Sequence, residues 1–350
     1  MRNTKALEAL AHFGIPGADI RVETIPQGLI NDSYRVFSEG VPQFILQRIN
    51  TRVFPSPDLL MENISRLLPV LEGAGYAGLS LAPTSAGAPW LEQADGEVWR
   101  LFHYIPGSHT LEATQDPQIA REAGRVIGRF HQLVSRVPVS EIHTPLKGFH
   151  DLELRSQQLK TAVATGMPER LDRAGPLLEL AGRLVGLLKE IPLASLPLRI
   201  CHNDTKLSNI LFEKDRGKGL CLIDLDTLMP GYLLYDFGDA ARILLSPVGE
   251  THAPSAEGTI SLPMFEAFAE GWHSSGLAMG IQEATWLCHG IPLMSTLHGV
   301  RTLTDFLTGD RYYHTTYPGQ NLDRASSMLE SASLAAQRLP ELQKIFEKSG

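Results

Sequence analysis

The sequence predicts an α+β protein of two lobes, a small, mostly antiparallel β lobe followed by a larger, mostly helical one. Three observations carry this. Short strand-like runs separated by turn residues fill the first part of the chain, long apolar periodicities of helical spacing follow "IPGSHT", and one strand–turn–strand signal lies inside the helical half. The lobes should meet near residues 101–107, which divides the chain into 1–103 and 104–350. A length of 350 residues suits two units of the usual ~100–200 residues.

In order, "IRVETIP", "DSYRVFS" and "PQFILQRI" are short strands joined by the turns "QGLIN" and "EGV", and an antiparallel meander is their simplest assembly. "SPDLLMENISRLLPVLEGAGY" is a helix, with Ser or Asp as cap, Pro57 in the first turn, an apolar stripe through Leu60, Ile64, Leu67, Leu68 and Leu71, and Gly73 as stop. Further strands are expected around "LAPTS" and "EVWRLFHYI", separated by the turn-rich "AGAPWLEQADG". Residues 117–134 place Ile119, Ala123, Val126, Ile127, Phe130, Leu133 and Val134 on one helical face, and 168–190 and 321–348 follow the same pattern. "LRIC", then "NILFEKDRGKGLCLIDLD" with "KDRGKG" as a turn, is the strand signal of the second half. The Gly/Pro/Ser-rich stretch 246–262 is expected to be a connection, and a lid is one use for it.

Composition narrows the function. Hydrophobic residues make up 43% and charged residues 20%, and no run approaches the ~18 apolar residues of a membrane span. "MRNTKALEALAHFGI" lacks the long apolar run and cleavage site of a signal peptide, so a cytoplasmic protein is expected. Three cysteines without CxxC spacing argue against a disulfide framework or structural zinc. A net charge of −8 argues against general nucleic-acid binding, which needs a basic surface.

The chemistry concentrates in "ICHNDTKLSNILF", residues 200–212, where His202, Asp204, Lys206, Ser208 and Asn209 fall close together. A hairpin brings its two sides together, so "HNDTKLSN" on entry and "LIDLD" on exit can converge, with Asn209 facing Asp224. A carboxylate and an amide oxygen are hard ligands suited to Mg²⁺, which takes substrate phosphates as further ligands. Asp204 is then available to accept a proton from an attacking hydroxyl, and Lys206 to neutralise a transferred phosphoryl group. Metal, base and positive charge are the parts of a phosphoryl transfer. An isolated polar turn would more often cap backbone groups, but the spacing H-x-D-x-K-x-x-N followed by a turn and apolar-apolar-D matches the catalytic and metal loops of the protein-kinase-like fold.

On "CHNDTKLSNILF" and "CLIDLDTLMPGYLLYDFGDAAR" the chain resembles the aminoglycoside phosphotransferase and choline kinase superfamily, with a bilobal protein-kinase-like fold. "INDSYRV", "FILQRINTRVF", "LLMENISRL" and "RTLTDFLTGDRYYHTTYPGQNLDRA" most resemble the N-acetylhexosamine 1-kinases, over about residues 24–326. The resemblance implies an N-terminal nucleotide-binding lobe and a C-terminal catalytic and substrate-binding lobe, ATP and Mg²⁺ as cofactors, and phosphorylation of the anomeric hydroxyl of a sugar. It implies Asp204 as base, Asn209 and Asp224 as magnesium ligands, and Asp226 as a second metal or structural carboxylate. Gly28 and Asn31 fall in the nucleotide loop "PQGLINDS", and Phe102 and Tyr104 in "LFHYIPG" are candidate neighbours of the adenine. Arg301, Tyr312, Asp305 and Tyr317 fall in the segment that resembles the sugar-contacting part.

Kinases usually carry a lysine on the third strand. "FILQRIN" has none, which leaves Arg48 or Gln47 as substitute and Glu62 as its helix partner, unless Glu62 is simply a solvated residue. Leu29 stands where the hexosamine kinases commonly carry His. His202 is expected to orient its loop, Asp236 and Asp239 to cap a helix and brace that loop, and Cys201 to be a small buried hydrophobe. The expected partners are ATP and a small sugar, with no nucleic acid, no membrane, and a monomeric state. The alternatives are a kinase for choline, an amino alcohol or an aminoglycoside, and a catalytically inactive nucleotide- or sugar-binding protein.

Overall fold

A computed structural model describes residues 2–15, 19–26, 30–245 and 260–350. The N-terminal part opens with helix α1 (Arg2–Leu10), then strands β1 (Ile20–Ile25), β2 (Asp32–Ser38) and β3 (Val41–Ile49), helix α2 (Pro57–Leu67), and strands β4 (Leu91–Glu92) and β5 (Val98–His103). These strands form an antiparallel sheet in the order β1-β2-β3-β5-β4. Because side chains alternate across a strand, each residue's parity decides its face. Val22, Tyr34, Val36, Phe44, Leu46, Trp99 and Leu101 pack under α1 with Ala6, Ala9 and Leu10. The opposite parity, including Ile49, Val98 and Phe102, joins the core that runs through α2 into the helical part.

Three expectations shift here. Helix α2 ends at Leu67, short of Gly73, and passes into a 3₁₀ turn that contains Pro69, which has no N–H to continue the helix. "LAPTS" contributes one bridge, Leu81 to Phe102, in place of a strand. The short β4 falls inside the stretch read as turn-rich.

The helical part contains β6 (Ser108–His109), α3 (Pro117–Val134), α4 (Leu152–Thr165), α5 (Pro168–Leu188), β7 (Arg199–Cys201), β8 (Ile210–Glu213), β9 (Gly219–Leu222) and β10 (Met229–Gly231). It continues with α6 (Leu233–Leu245), α7 (Leu262–Ser274), α8 (Ile281–Trp286), α9 (Gly290–Leu307), α10 (Gln320–Gln337) and α11 (Leu339–Lys348). The stretch expected as one helix over 321–348 is thus two, broken at Arg338 with Pro340 in the next first turn. Asp116 caps α3 by accepting from Gln118 N at 2.9 Å, and Asp151 caps α4 by accepting from Leu154 N at 3.0 Å. Most of the connection 246–262, with any use as a lid, lies outside the described residues, as do Gly28 and Leu29. All three cysteines are buried and unbridged. Among the described residues, no helix is long and apolar enough to cross a membrane.

Candidate active site

The catalytic loop leaves β7, bends through Asn203 in the left-handed region (φ 64°), closes in a 3₁₀ turn over Leu207–Asn209 and enters β8. Asp236 on α6, fully buried, accepts from the backbone N–H groups of His202 and Asn203, both at 2.7 Å. The Thr205 hydroxyl returns a hydrogen bond to the Asp236 carbonyl at 2.6 Å. His202 Nε2 donates to the Ile223 carbonyl at 2.9 Å, joining the loop to the segment after β9. His202 and Asp236 are therefore braces, as expected, although Asp236 and Asp239 lie inside α6 and do not cap it. His131 and Cys201 sit with Asp236 in one buried group, but the Asp236 oxygens already serve the loop backbone.

The β8–β9 hairpin pairs Ile210 with Leu222, and Ile223 N donates to Asn209 O at 2.8 Å, which sets Asp224 beside the end of the catalytic loop. Asp204 Oδ2 accepts from Lys206 Nζ at 3.0 Å and from Asn209 Nδ2 at 2.8 Å. Burial pushes the Asp204 carboxyl up, but the Lys206 ammonium outweighs it and holds the group below its ordinary value. Asp224, in the left-handed region (φ 60°), is pushed up to about 6, first by burial and then by the charges of Asp226 and Asp204. A hard oxygen donor set with too much negative charge fits a divalent cation. Asn209 donates to Asp204 through Nδ2, so its Oδ1 and the Asp224 carboxylate are the groups that could hold such a cation. Asp226 is already paired, with Arg100 Nη1 2.5 Å from its Oδ1 and Asn31 Nδ2 donating to its Oδ2, which fits the structural one of the two roles expected for it.

On the sheet, register separates the two candidates for the missing lysine. Arg48 pairs in register with Asp32 and Trp99, and its side chain bonds Asp32 (2.9 Å) and Glu97 (2.7 Å), the latter also paired with Lys5 of α1. It thus faces α1, away from the catalytic loop. Gln47 has the other parity and receives Arg100 Nε at 3.0 Å. Glu62 pairs with His143 at 2.8 Å on an exposed face, so the expected Arg48–Glu62 pair does not form. Its neighbour Asn63 is the polar residue among those α2 buries, donating to the Leu228 carbonyl at 2.9 Å. Asn31 is brought to the metal loop through Asp226. Phe102 is core, beneath the Arg100 guanidinium at 5.2 Å, and Tyr104 sits under Arg35 at 5.9 Å.

On the helical side, His150 Nε2 donates to the Asn203 carbonyl at 3.0 Å, one residue from Asp204. Next to it Arg301 stacks over Phe149 (5.2 Å) and Tyr312 (5.9 Å), so Arg301 and Tyr312 meet beside the catalytic loop. Asp305 is placed otherwise than expected. Its Oδ1 accepts from Arg311 N and Tyr312 N, and its Oδ2 from Tyr313 N and Asn321 Nδ2, at 2.9–3.0 Å, so it shapes the loop that carries Tyr312. Tyr317, exposed, donates to Asp323 at 3.0 Å, outside the Arg301–Tyr312 stack. Arg100, His150 and Phe149 were not singled out from the sequence. Only Arg100 left a signal, as a charge inside the apolar run "VWRLF".

A sequence profile of the phosphotransferase enzyme family matches residues 21–269. Among solved structures, a microcompartment-associated aminopropanol kinase superposes with a TM-score of 0.68 at 18% identity, over 97% of this chain and 98% of that one. A spectinomycin phosphotransferase bound to ADP and spectinomycin gives 0.63 at 13% identity, over 95% and 98%. An aminoglycoside 2'-phosphotransferase in its GDP complex gives 0.62 at 14%, over 93% and 98%. At these identities the likeness establishes the shared protein-kinase-like fold.

Proposed function

The chain belongs to the phosphotransferase enzyme family, and from that premise we propose that it is an ATP-dependent kinase acting on a hydroxyl of a small molecule. The observation that carries this is the Asp204 carboxylate, held below its ordinary value by Lys206 and bonded to Asn209, with Asp224 beside it on the hairpin. Residues 1–103 hold the nucleotide and 104–350 supply catalysis and the acceptor site. Asp204 orients the acceptor hydroxyl and takes its proton as the oxygen bonds the γ-phosphorus and the β–γ bridge breaks, releasing ADP. Lys206 offsets charge on the transferred group. A magnesium ion on Asn209 and Asp224, when bound, neutralises the phosphate oxygens. Arg48 and Glu62 have no place in this scheme.

The acceptor we propose is a sugar, phosphorylated at the anomeric hydroxyl of an N-acetylhexosamine. The reading is supported by the resemblance of the 301–325 segment and by the Arg301–Phe149–Tyr312 stack, which offers a flat aromatic surface and guanidinium donors to a ring bearing hydroxyls and an acetamido carbonyl. A second reading, an amino alcohol or aminoglycoside acceptor, draws on the names of the similar structures. Against it, Arg155 and Arg301 sit close enough to repel each other, a poor setting for a cationic substrate. The expected setting is the cytoplasm, with the protein acting as a monomer.

The test is ADP release with magnesium and ATP over a panel of N-acetylhexosamines, other sugars, amino alcohols and aminoglycosides, followed by phosphorus NMR of the product. Stimulation by an N-acetylhexosamine with a 1-phosphate product is expected. Stimulation by amines alone would replace the sugar reading, and stimulation by none of them would overturn the kinase reading.

A further inference from the structure

Ser33, Gln47 and Arg100 are register partners on β2, β3 and β5 and so line one face of the sheet, the face toward the metal loop. They are bonded in series: Arg100 Nε donates to Gln47 Oε1, and Gln47 Nε2 donates to Ser33 Oγ, each at 3.0 Å. The series ends on Asp226, whose Oδ1 lies 2.5 Å from Arg100 Nη1. Arg100 is 0% exposed, and its Nη2 is buried without a hydrogen-bond partner. A guanidinium enclosed in this way is costly unless paired, and the carboxylate that pairs it belongs to the segment carrying Asp224.

We propose that Arg100 is a positioning residue for the phosphoryl transfer, one that fixes the metal loop from the N-terminal sheet. Its fork holds Asp226 on one side and Gln47 on the other, while Asn31 holds the second Asp226 oxygen. Asp226 is thereby held by residues from two separate parts of the sheet region, Arg100 on β5 and Asn31 just before β2, and Asp224 is held at a defined place beside Asn209. Arg48 cannot do this, because its parity turns it toward α1. The inference rests on the kinase reading, since it assigns Arg100 a purpose in ordering a magnesium ligand.

The test reads binding of a non-hydrolysable ATP analogue, by calorimetry with and without magnesium, together with thermal melting. Arg100→Met should weaken the magnesium-dependent part of binding by about tenfold or more, the usual consequence of removing a partner behind a metal ligand. Magnesium-free binding should stay unchanged, and Arg100→Lys, which keeps the charge, should recover part of the loss. If Arg100→Met does not fold, the double variant Arg100→Met/Asp226→Asn removes both charges at once. It should fold and show the same loss of magnesium dependence. Parent-like magnesium dependence in either folded variant overturns the proposal. Failure of the parent itself to bind the analogue with magnesium would instead overturn the kinase reading.

Discussion

Asp204 must stay ionised inside a buried loop in order to accept a proton, and burial and one neighbour, Lys206, pull it in opposite directions. Burial favours the neutral acid, while Lys206 at 3.0 Å favours the carboxylate and prevails. A carboxylate of this kind is a weak base, which suits a reaction whose catalysis is mostly positioning and charge stabilisation. Replacing it by Asn keeps the shape and the Asn209 contact but removes the proton acceptor. Asp204→Asn should lower kcat by about 10²–10⁴-fold with ATP binding retained, measured by coupled ADP release and by calorimetry. A rate near the parent's would take Asp204 out of the role. This residue was legible because its chemistry is written in consecutive spacing, H-x-D-x-K-x-x-N. Arg100 was not, since its partners Gln47, Ser33 and Asp226 meet it only through strand register and a distant hairpin. The same register turned Arg48 away from the site, and a substitution read from chain position alone could not see that.

At the scale of elements, the site depends on how α6 seats against α9. Asp236 reaches the catalytic loop only from a fixed α6, and the two helices touch backbone to backbone. A Cβ built on Gly238 would lie 2.1 Å from the Gly290 carbonyl oxygen. Gly238→Ala must therefore push the helices apart, which overpacking data place at about 1–3 kcal/mol. A lower urea midpoint and reduced turnover are expected together, because Asp236 moves with its helix. An unchanged midpoint would show that the crossing yields without cost. Helices with one wet face, such as 117–134, were legible from their stripe, and so were the meander strands with their tight turns. Every residue of α6 is buried, including its polar Asp236, Asp239 and Arg242, so it has no wet face to mark its phase, and it begins at Leu233, ahead of the carboxylates expected to cap it. The break at Arg338 passed unseen because the apolar pattern continues through it, although Pro340 was the available signal.

For the whole molecule, the folded state's reluctance to protonate His150 links global stability to pH. The imidazole is packed against Phe149, Tyr235 and the His298 ring, near Arg301 and Asp239, and donates to the Asn203 carbonyl. Burial first, then the neighbouring His298, lowers its pKa from 6.5 to about 4. The unfolded chain thus takes up this proton at a higher pH than the folded one. The stabilisation from keeping His150 neutral is full above about pH 6.5 and is lost progressively as the pH falls toward 4. Other groups titrate in the same range, so the contribution is isolated by difference. His150→Gln keeps an N–H for the Asn203 carbonyl and has nothing to titrate. Between pH 7 and pH 5 the parent should lose about 2 kcal/mol of unfolding free energy relative to this variant, from the two pKa values and ~1.4 kcal/mol per unit. Paired urea denaturations at the two pH values measure it. Parallel curves would mean that His150 takes up its proton in the folded protein as readily as in the unfolded chain. Because its ring holds Asn203, protonation of His150 in the folded protein would bear on the loop that carries Asp204, so its effect on the turnover of folded enzyme should appear only near pH 4, well below the pH at which the stability loss begins.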